Sequence, residues 1–160
     1  MKRKQLFSVA LVTVLALGLL SATACKSSGM AVTSRGQLLK LNIVGPADLP
    51  DSGVENLDVN ISNRGVNNIQ DILLEVEVPP QLVVLDQTNE RGVDTMHNPG
   101  SNMYRFTFGK IQPGETSTVR FRVRTAFGTL SETGSVKATA WQSGLPGDKL
   151  VETAVIKLRQ

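Results

Sequence analysis

Apolar and polar residues alternate in a series of short segments from about residue 38 to the end of the chain. A period of two is typical of β-strands with one buried and one solvated face. Turn residues such as Asn63-Arg64-Gly65 and Pro79-Pro80 separate the segments, and no helical period interrupts them. Seven or eight short strands of this kind predict an all-β fold with antiparallel pairing in a sandwich or barrel. Their apolar members are Leu39, Leu41, Ile43; Leu57, Val59, Ile61; Ile72, Leu74, Val76, Val78; Leu82 to Leu85; Tyr104, Phe106, Phe108; Val119, Phe121, Val123; Val136, Ala138, Ala140; and Ala154, Ile156, Leu158.

Residues 86–102 are the long exception to this pattern. They are polar and include Gly92, Pro99 and Gly100. A polar stretch of this length between strands predicts a mobile surface loop.

The first 25 residues have the composition of an export signal. Lys2, Arg3 and Lys4 precede an uncharged apolar run, and small residues lead to Cys25, the only cysteine of the chain. The run is shorter than the roughly 20 residues of a spanning helix, and its flanks are those of a secretory signal. The alternative is plain secretion with a free Cys25.

The Ser21 to Cys25 stretch resembles the lipobox of bacterial lipoproteins. The resemblance implies a signal peptide over residues 1–24 and a lipidated Cys25 as the first residue of the mature chain. Two or more acyl chains hold a protein stably on a membrane. Because Lys26 rather than an aspartate follows, the resemblance favours the outer membrane, facing the periplasm, in a Gram-negative cell.

The domain organisation follows from composition. Residues 25–36 are small and polar and predict a lipidated cysteine with a flexible tether, so that residues 37–160 form one domain. The net charge of +3 comes from 17 basic and 14 acidic residues, and three of the basic ones lie in the signal. A mature chain of balanced charge argues against nucleic acid as a partner.

A longer resemblance rests on Asn63-Arg64-Gly65, Pro79-Pro80 with Leu82, residues 109–115 and the Ala138/Ala140 strand. Together these are similar to the Ig-like surface-protein repeat known as domain of unknown function eleven. The resemblance implies an Ig-like antiparallel β-sandwich of seven or eight strands after the signal segment, an extracytoplasmic setting and no catalytic residues. In the 109–115 turn, Pro113 presets one turn angle and Gly114 accepts a positive φ.

Few residues suggest chemistry. Met96, His97 and Met103 have the ligand types of a copper(I) site, but a solvated loop and a core methionine explain them as well. Glu75 and Glu77 share a strand face, as carboxylates in acid–base catalysis do, yet an open sheet face offers no cleft. The sequence therefore predicts no enzyme, no cofactor and no metal.

Three arginines, Arg120, Arg122 and Arg124, alternate with apolar residues and project from one strand face. They suit docking onto an anionic partner or lipid headgroups, or serve solubility and edge protection. Ig-like topology would place them in one sheet with Lys40, Asp58 and Arg105. The other sheet would then present an acidic face of Asp71, Glu75, Glu77, Lys137 and Glu152.

Trp141 begins a predicted hairpin connection, where it either anchors a partner or caps the core. The predicted function is a membrane-anchored envelope lipoprotein, bound through Cys25, that acts as a non-catalytic binding or scaffolding module for an envelope protein. Two alternatives stay open: a lipoprotein that binds a small ligand, glycan or metal, and an accessory subunit of an envelope enzyme or transporter.

Overall fold

A computed structural model describes residues 24–32, 38–90, 94–98, 100–130 and 132–159, with the backbone alone for 24–32 and Asp94. Residues 1–23 of the predicted signal lie outside it. The described residues form eleven strands: β1 Ala24–Val32, β2 Leu38–Pro46, β3 Asp48–Pro50, β4 Val54–Asn63, β5 Ile69–Glu77, β6 Leu82–Asn89, β7 Asp94–His97, β8 Met103–Ile111, β9 Thr116–Thr125, β10 Thr133–Gln142 and β11 Leu150–Arg159.

These strands form two sheets that pack as a sandwich. Sheet A has the order β1-β2-β4-β9-β6, and sheet B has the order β3-β11-β10-β5-β8-β7. All pairs are antiparallel except β3 with β11. The predicted all-β Ig-like sandwich is confirmed, although the number of strands is larger than seven or eight. None of the described residues forms a helix that is long and apolar enough to span a bilayer.

The core lies between the sheets and is built from the alternating positions that the sequence singles out. Every second residue of β2 and β9 is buried, and β5 alternates in the same way from Ile72 onward. Phe106 of sheet B and Phe121 of sheet A meet edge to face, with ring centroids 5.9 Å apart. Such a contact adds stability beyond the area that it buries. The prediction of inward-facing residues is therefore confirmed for the central strands.

The added strands lie mostly at the edges. Residues 24–32 pair with β2 in register, with Ala24 opposite Pro46 and Val32 opposite Leu38. The sequence predicts instead that residue 24 ends the signal peptide and that residues 25–32 belong to a flexible tether. Residues 86–102, expected to be one loop, instead complete β6 and contain β7. An edge strand needs only backbone partners on one side and can be polar on its solvated face. Composition therefore did not reveal these strands.

Because the strands are antiparallel, the loops that connect them lie at two opposite ends of the sandwich. The Asn63 end comprises residues 64–68, 112–115 and 143–149, where the Asn63 side chain also bonds to the carbonyl of Ile111 in the other sheet. The Phe127 end comprises residues 47–53, 78–81 and 126–130, where the Ala126 N–H donates to the Gln81 carbonyl.

Candidate interaction surfaces

The three arginines of β9 lie on the outer face of sheet A, since the residues between them are buried. The Arg120 guanidinium donates two hydrogen bonds to Asp58 of β4, from Nε to Oδ1 at 2.7 Å and from Nη2 to Oδ2 at 2.8 Å. This bond and the carboxylate charge raise the pKa of Arg120. The two side chains satisfy each other, which leaves Arg120 with little capacity for another anion.

The other two arginines differ from Arg120. Arg124 Nη1 donates to the carbonyl oxygen of Thr125 at 3.1 Å. Arg122 faces Asn56 on one side and Asp86 of β6 on the other in the strand register. Within the described part of the chain, Arg122 makes no ion pair. Arg122 is thus the arginine of this face best placed to meet a partner.

The expected contrast between a basic and an acidic sheet is wrong. Arg105 lies on β8 of sheet B, opposite Glu75, and forms an ion pair with that carboxylate. Lys137 faces the second carboxylate, Glu77. Glu152 pairs with the buried Ala138, on the side of β11 that faces the core. Both sheets therefore carry charges of both signs, because cross-strand pairs match opposite charges.

The three residues considered as copper(I) ligands, Met96, His97 and Met103, lie on two different faces of the β7–β8 hairpin. The His97 ring stacks on Tyr104, with centroids 4.2 Å apart and planes 4° apart. Met96 is opposite Arg105 in register and points with Met103 to the outer face, where Met103 is 41 % exposed. The interpretation of Met103 as a core residue is wrong. The described residues contain no group of three or more histidine, cysteine or acidic residues that could hold a metal ion.

Trp141 belongs to β10, opposite Leu73, and not to a loop tip. It is 8 % exposed, and the Lys149 ammonium lies 4.6 Å from its ring centroid. A cation over an indole face is attracted by the ring's electrons, which holds the two side chains together. The burial agrees with the interpretation of Trp141 as a cap on its own domain.

One side of the sandwich is open. On the closed side, β1 contacts β11 across the two sheets. On the open side, β6 pairs with β9 and has no further strand partner in the described chain. A groove of about 330 Å³ runs between β6 and the β7–β8 hairpin, and Leu82, Val84, His97 and Tyr104 line it. Burial in its wall raises the pKa of Tyr104.

The sequence did not indicate this groove, because its walls come from strands that are distant along the chain. Val84 belongs to the short strand expected after Pro80, whereas Tyr104 begins the strand after the expected loop. The only local signal was the apolar run of residues 82–85. The pairing of β7 with β8 brings the His97 ring onto Tyr104 and completes the wall.

Cys25 occupies the second position of β1, opposite Gly45 of β2. This register places its backbone at the Phe127 end, where β2 ends and β4 begins. The predicted tether therefore does not separate Cys25 from the sandwich in this structure.

No family model matches the chain, and no curated protein matches it. Solved structures are similar in fold. The RrgA Jo.In complex aligns with a TM-score of 0.60 and 11 % identity over 80 % of this chain and 82 % of that one. A cohesin module from a Clostridium perfringens family 33 glycoside hydrolase aligns with a TM-score of 0.51 and 11 % identity, over 86 % and 98 %. At these identities the similarity shows the β-sandwich fold alone.

Proposed function

We propose that the chain is a bacterial envelope lipoprotein held on the membrane by lipid on Cys25, which in a Gram-negative cell is the outer membrane facing the periplasm. In this proposal its Ig-like domain is a non-catalytic module that binds another envelope protein. The open β6 edge beside the groove, whose lining is part apolar and part polar, is the observation that supports protein binding most directly. The resemblance to the repeat of unknown function eleven supports the extracytoplasmic setting.

The β6 edge suits the addition of an extended segment from a partner. A guest strand gains main-chain hydrogen bonds from an open edge, and its alternate side chains enter neighbouring pockets. Leu82 and Val84 present apolar side chains toward the groove, and Tyr104 and His97 form its opposite wall. The register shift between Val84 and Asp86 marks a bulge. A bulge restricts which strands can pair and so opposes non-specific aggregation.

Arg122 adds a charge preference to this edge. It lies on β9, next to β6, and faces Asp86 across the two strands. A guest strand with an acidic residue on the outer face could pair with Arg122, whose guanidinium has no ion-pair partner among the described residues. Arg120 would contribute little, because Asp58 already accepts its hydrogen bonds.

The test is crosslinking in living cells with a photoreactive residue at one of two exposed threonines. Thr88 lies on β6, and Thr153 lies on the outer face of β11 as the matched control. We expect one envelope protein to be captured from Thr88, little from Thr153, and less from Thr88 when Cys25→Ala removes the anchor. Equal capture at both positions would overturn the choice of edge. If no protein is captured while the chain stays with cell wall, the small-ligand alternative replaces the proposal.

A second candidate is a non-catalytic module that accompanies an envelope enzyme. The observation that favours it is the similarity to the cohesin module, whose printed description assigns it to a glycoside hydrolase. In that case the protein captured from Thr88 would itself be an enzyme. The same crosslinking experiment, with the captured protein identified by mass spectrometry, separates the two candidates.

A further inference from the structure

The connection between β9 and β10 exposes two large apolar side chains at the Phe127 end. Phe127 is 101 % exposed and Leu130 is 90 % exposed. Neither side chain belongs to the buried core between the sheets. A single exposed apolar residue is common, but two large ones within four residues of one turn concentrate apolar surface at one end of the domain, as contact sites for proteins or membranes do.

This tip is an ordered turn of the backbone. Thr129 N–H donates to the Ala126 carbonyl at 3.2 Å, and Gly128 has a φ of 73°. The preceding Ala126 N–H donates to the Gln81 carbonyl at 2.8 Å, which ties the turn to the neighbouring connection. The backbone therefore presents Phe127 at the tip in a defined direction, and the loss of conformational entropy on contact is reduced.

Cys25 lies at the same end of the sandwich. The register of β1 places Cys25 opposite Gly45 and Ala24 opposite Pro46. In the same sheet, Val54 pairs with Arg124 close to the start of the exposed turn. If the mature chain begins at Cys25, its lipid leaves the domain at the Phe127 end without an intervening tether.

We infer that the Phe127 end rests on the lipid bilayer, with Phe127 and Leu130 inserted among the headgroups. The inference rests on the proposed lipid anchor at Cys25. Apolar side chains at such an interface enter about 5–10 Å of the bilayer. Charges of both signs lie beside Leu130, namely Asp48, Glu132, Lys157 and Arg159, so apolar insertion rather than attraction to anionic lipid provides the contact.

This arrangement gives the domain a fixed orientation. Strands of ten residues, such as β4 and β9, extend about 33 Å at roughly 3.3 Å per residue. The Asn63 end, with Val66 at 89 % exposure, then points away from the membrane. The β6 edge runs along the length of the domain between the two ends. The groove beside it lies toward the Phe127 end, where Val78 and Pro80 line it, so a partner would meet the groove close to the membrane surface.

The test places a tryptophan at either end of the acylated full chain, purified from membranes and reconstituted in vesicles of phosphatidylethanolamine and phosphatidylglycerol that contain brominated lipid. Phe127→Trp reports on the proposed contact, and Val66→Trp is the control at the opposite end. Both positions are exposed, so neither substitution should disturb the fold. Because the native Trp141 also emits, the emission of the wild-type protein is subtracted from that of each variant. We expect the emission added by Phe127→Trp to fall by roughly half or more, given insertion of that depth. The emission added by Val66→Trp should not change.

Two results would overturn the inference. In the first, mass spectrometry finds the acyl chains and the protein co-floats with the vesicles in a density gradient, but the Phe127→Trp emission is not quenched or is quenched no more than that of Val66→Trp. The proposed orientation is then wrong, whereas the lipid anchor is supported. In the second, mass spectrometry finds no acyl chains and the protein does not co-float with the vesicles. The lipid anchor and the orientation are then both wrong.

Discussion

Asn63 is expected to be the polar side chain on which the sandwich depends most. Its side chain is completely buried at the end of β4. The amide nitrogen donates to the carbonyls of Asn67 at 2.7 Å and Ile111 at 3.0 Å, and the amide oxygen accepts from Gly65 N–H at 2.9 Å. These bonds join the β4–β5 crossover to the β8–β9 turn. One side chain therefore connects both sheets.

The Asn63→Ala substitution removes all three bonds and leaves the Ile111 carbonyl without this partner. A typical intramolecular hydrogen bond contributes about 1 kcal/mol, so the free energy of unfolding should fall by about 3 kcal/mol. With a urea dependence of roughly 2 kcal/mol per molar, this loss lowers the midpoint of unfolding by about 1.5 M. Asn63→Asp should behave similarly at neutral pH, because it keeps the acceptor but removes both donors.

The assay is urea unfolding of the chain from residue 25 onward, followed by the emission of Trp141, the single tryptophan. Trp141 is buried in the folded state and moves into water on unfolding. Asn56→Ala is the matched control, since Asn56 is an exposed asparagine on the same strand. If Asn63→Ala unfolds within a few tenths molar of Asn56→Ala, which is about the effect of a surface substitution, the reasoning is refuted.

The turn of residues 112–115 and the groove wall each provide a further test. Gly114 has a φ of 77°, so Gly114→Ala should lower the free energy of unfolding by about 1–2 kcal/mol. Gly109→Ala, at an exposed glycine without positive φ, is the control in the same urea assay, and equal effects would contradict the prediction. Burial raises the pKa of Tyr104, so the absorbance of this single tyrosine should titrate above its ordinary value of about 10. The stability that this shift contributes is fully present below pH about 10 and is lost as pH rises through the folded-state pKa. His97→Ala uncovers the ring and should move its pKa back toward the ordinary value, and an unchanged titration would show that stacking does not bury Tyr104.

The sequence alone determined the central strands and the face that each of them buries. Residues such as Leu41, Val59 and Phe121 alternate with polar neighbours, and a period of two assigns side chains to faces without knowledge of the partner strand. The 112–115 turn could also be predicted. Pro113 and Gly114 restrict the local backbone, and the structure confirms the positive φ at Gly114.

The tertiary structure decided what depends on pairing between distant segments. Arg105 lies beside Glu75 because β8 pairs with β5, and no local pattern contains that register. The polar edge strands β1 and β7 could not be inferred from composition, since an edge needs a backbone partner more than an apolar side chain. Phe127 and Cys25 share one end of the sandwich because the antiparallel pairings of β1 with β2, β2 with β4 and β4 with β9 place the start of β1 and the end of β9 together. The alternation of apolar and polar residues is a local property, so it could be recognised in the sequence. The order of the strands depends on contacts between distant segments and is decided only when the two sheets pack around a common core.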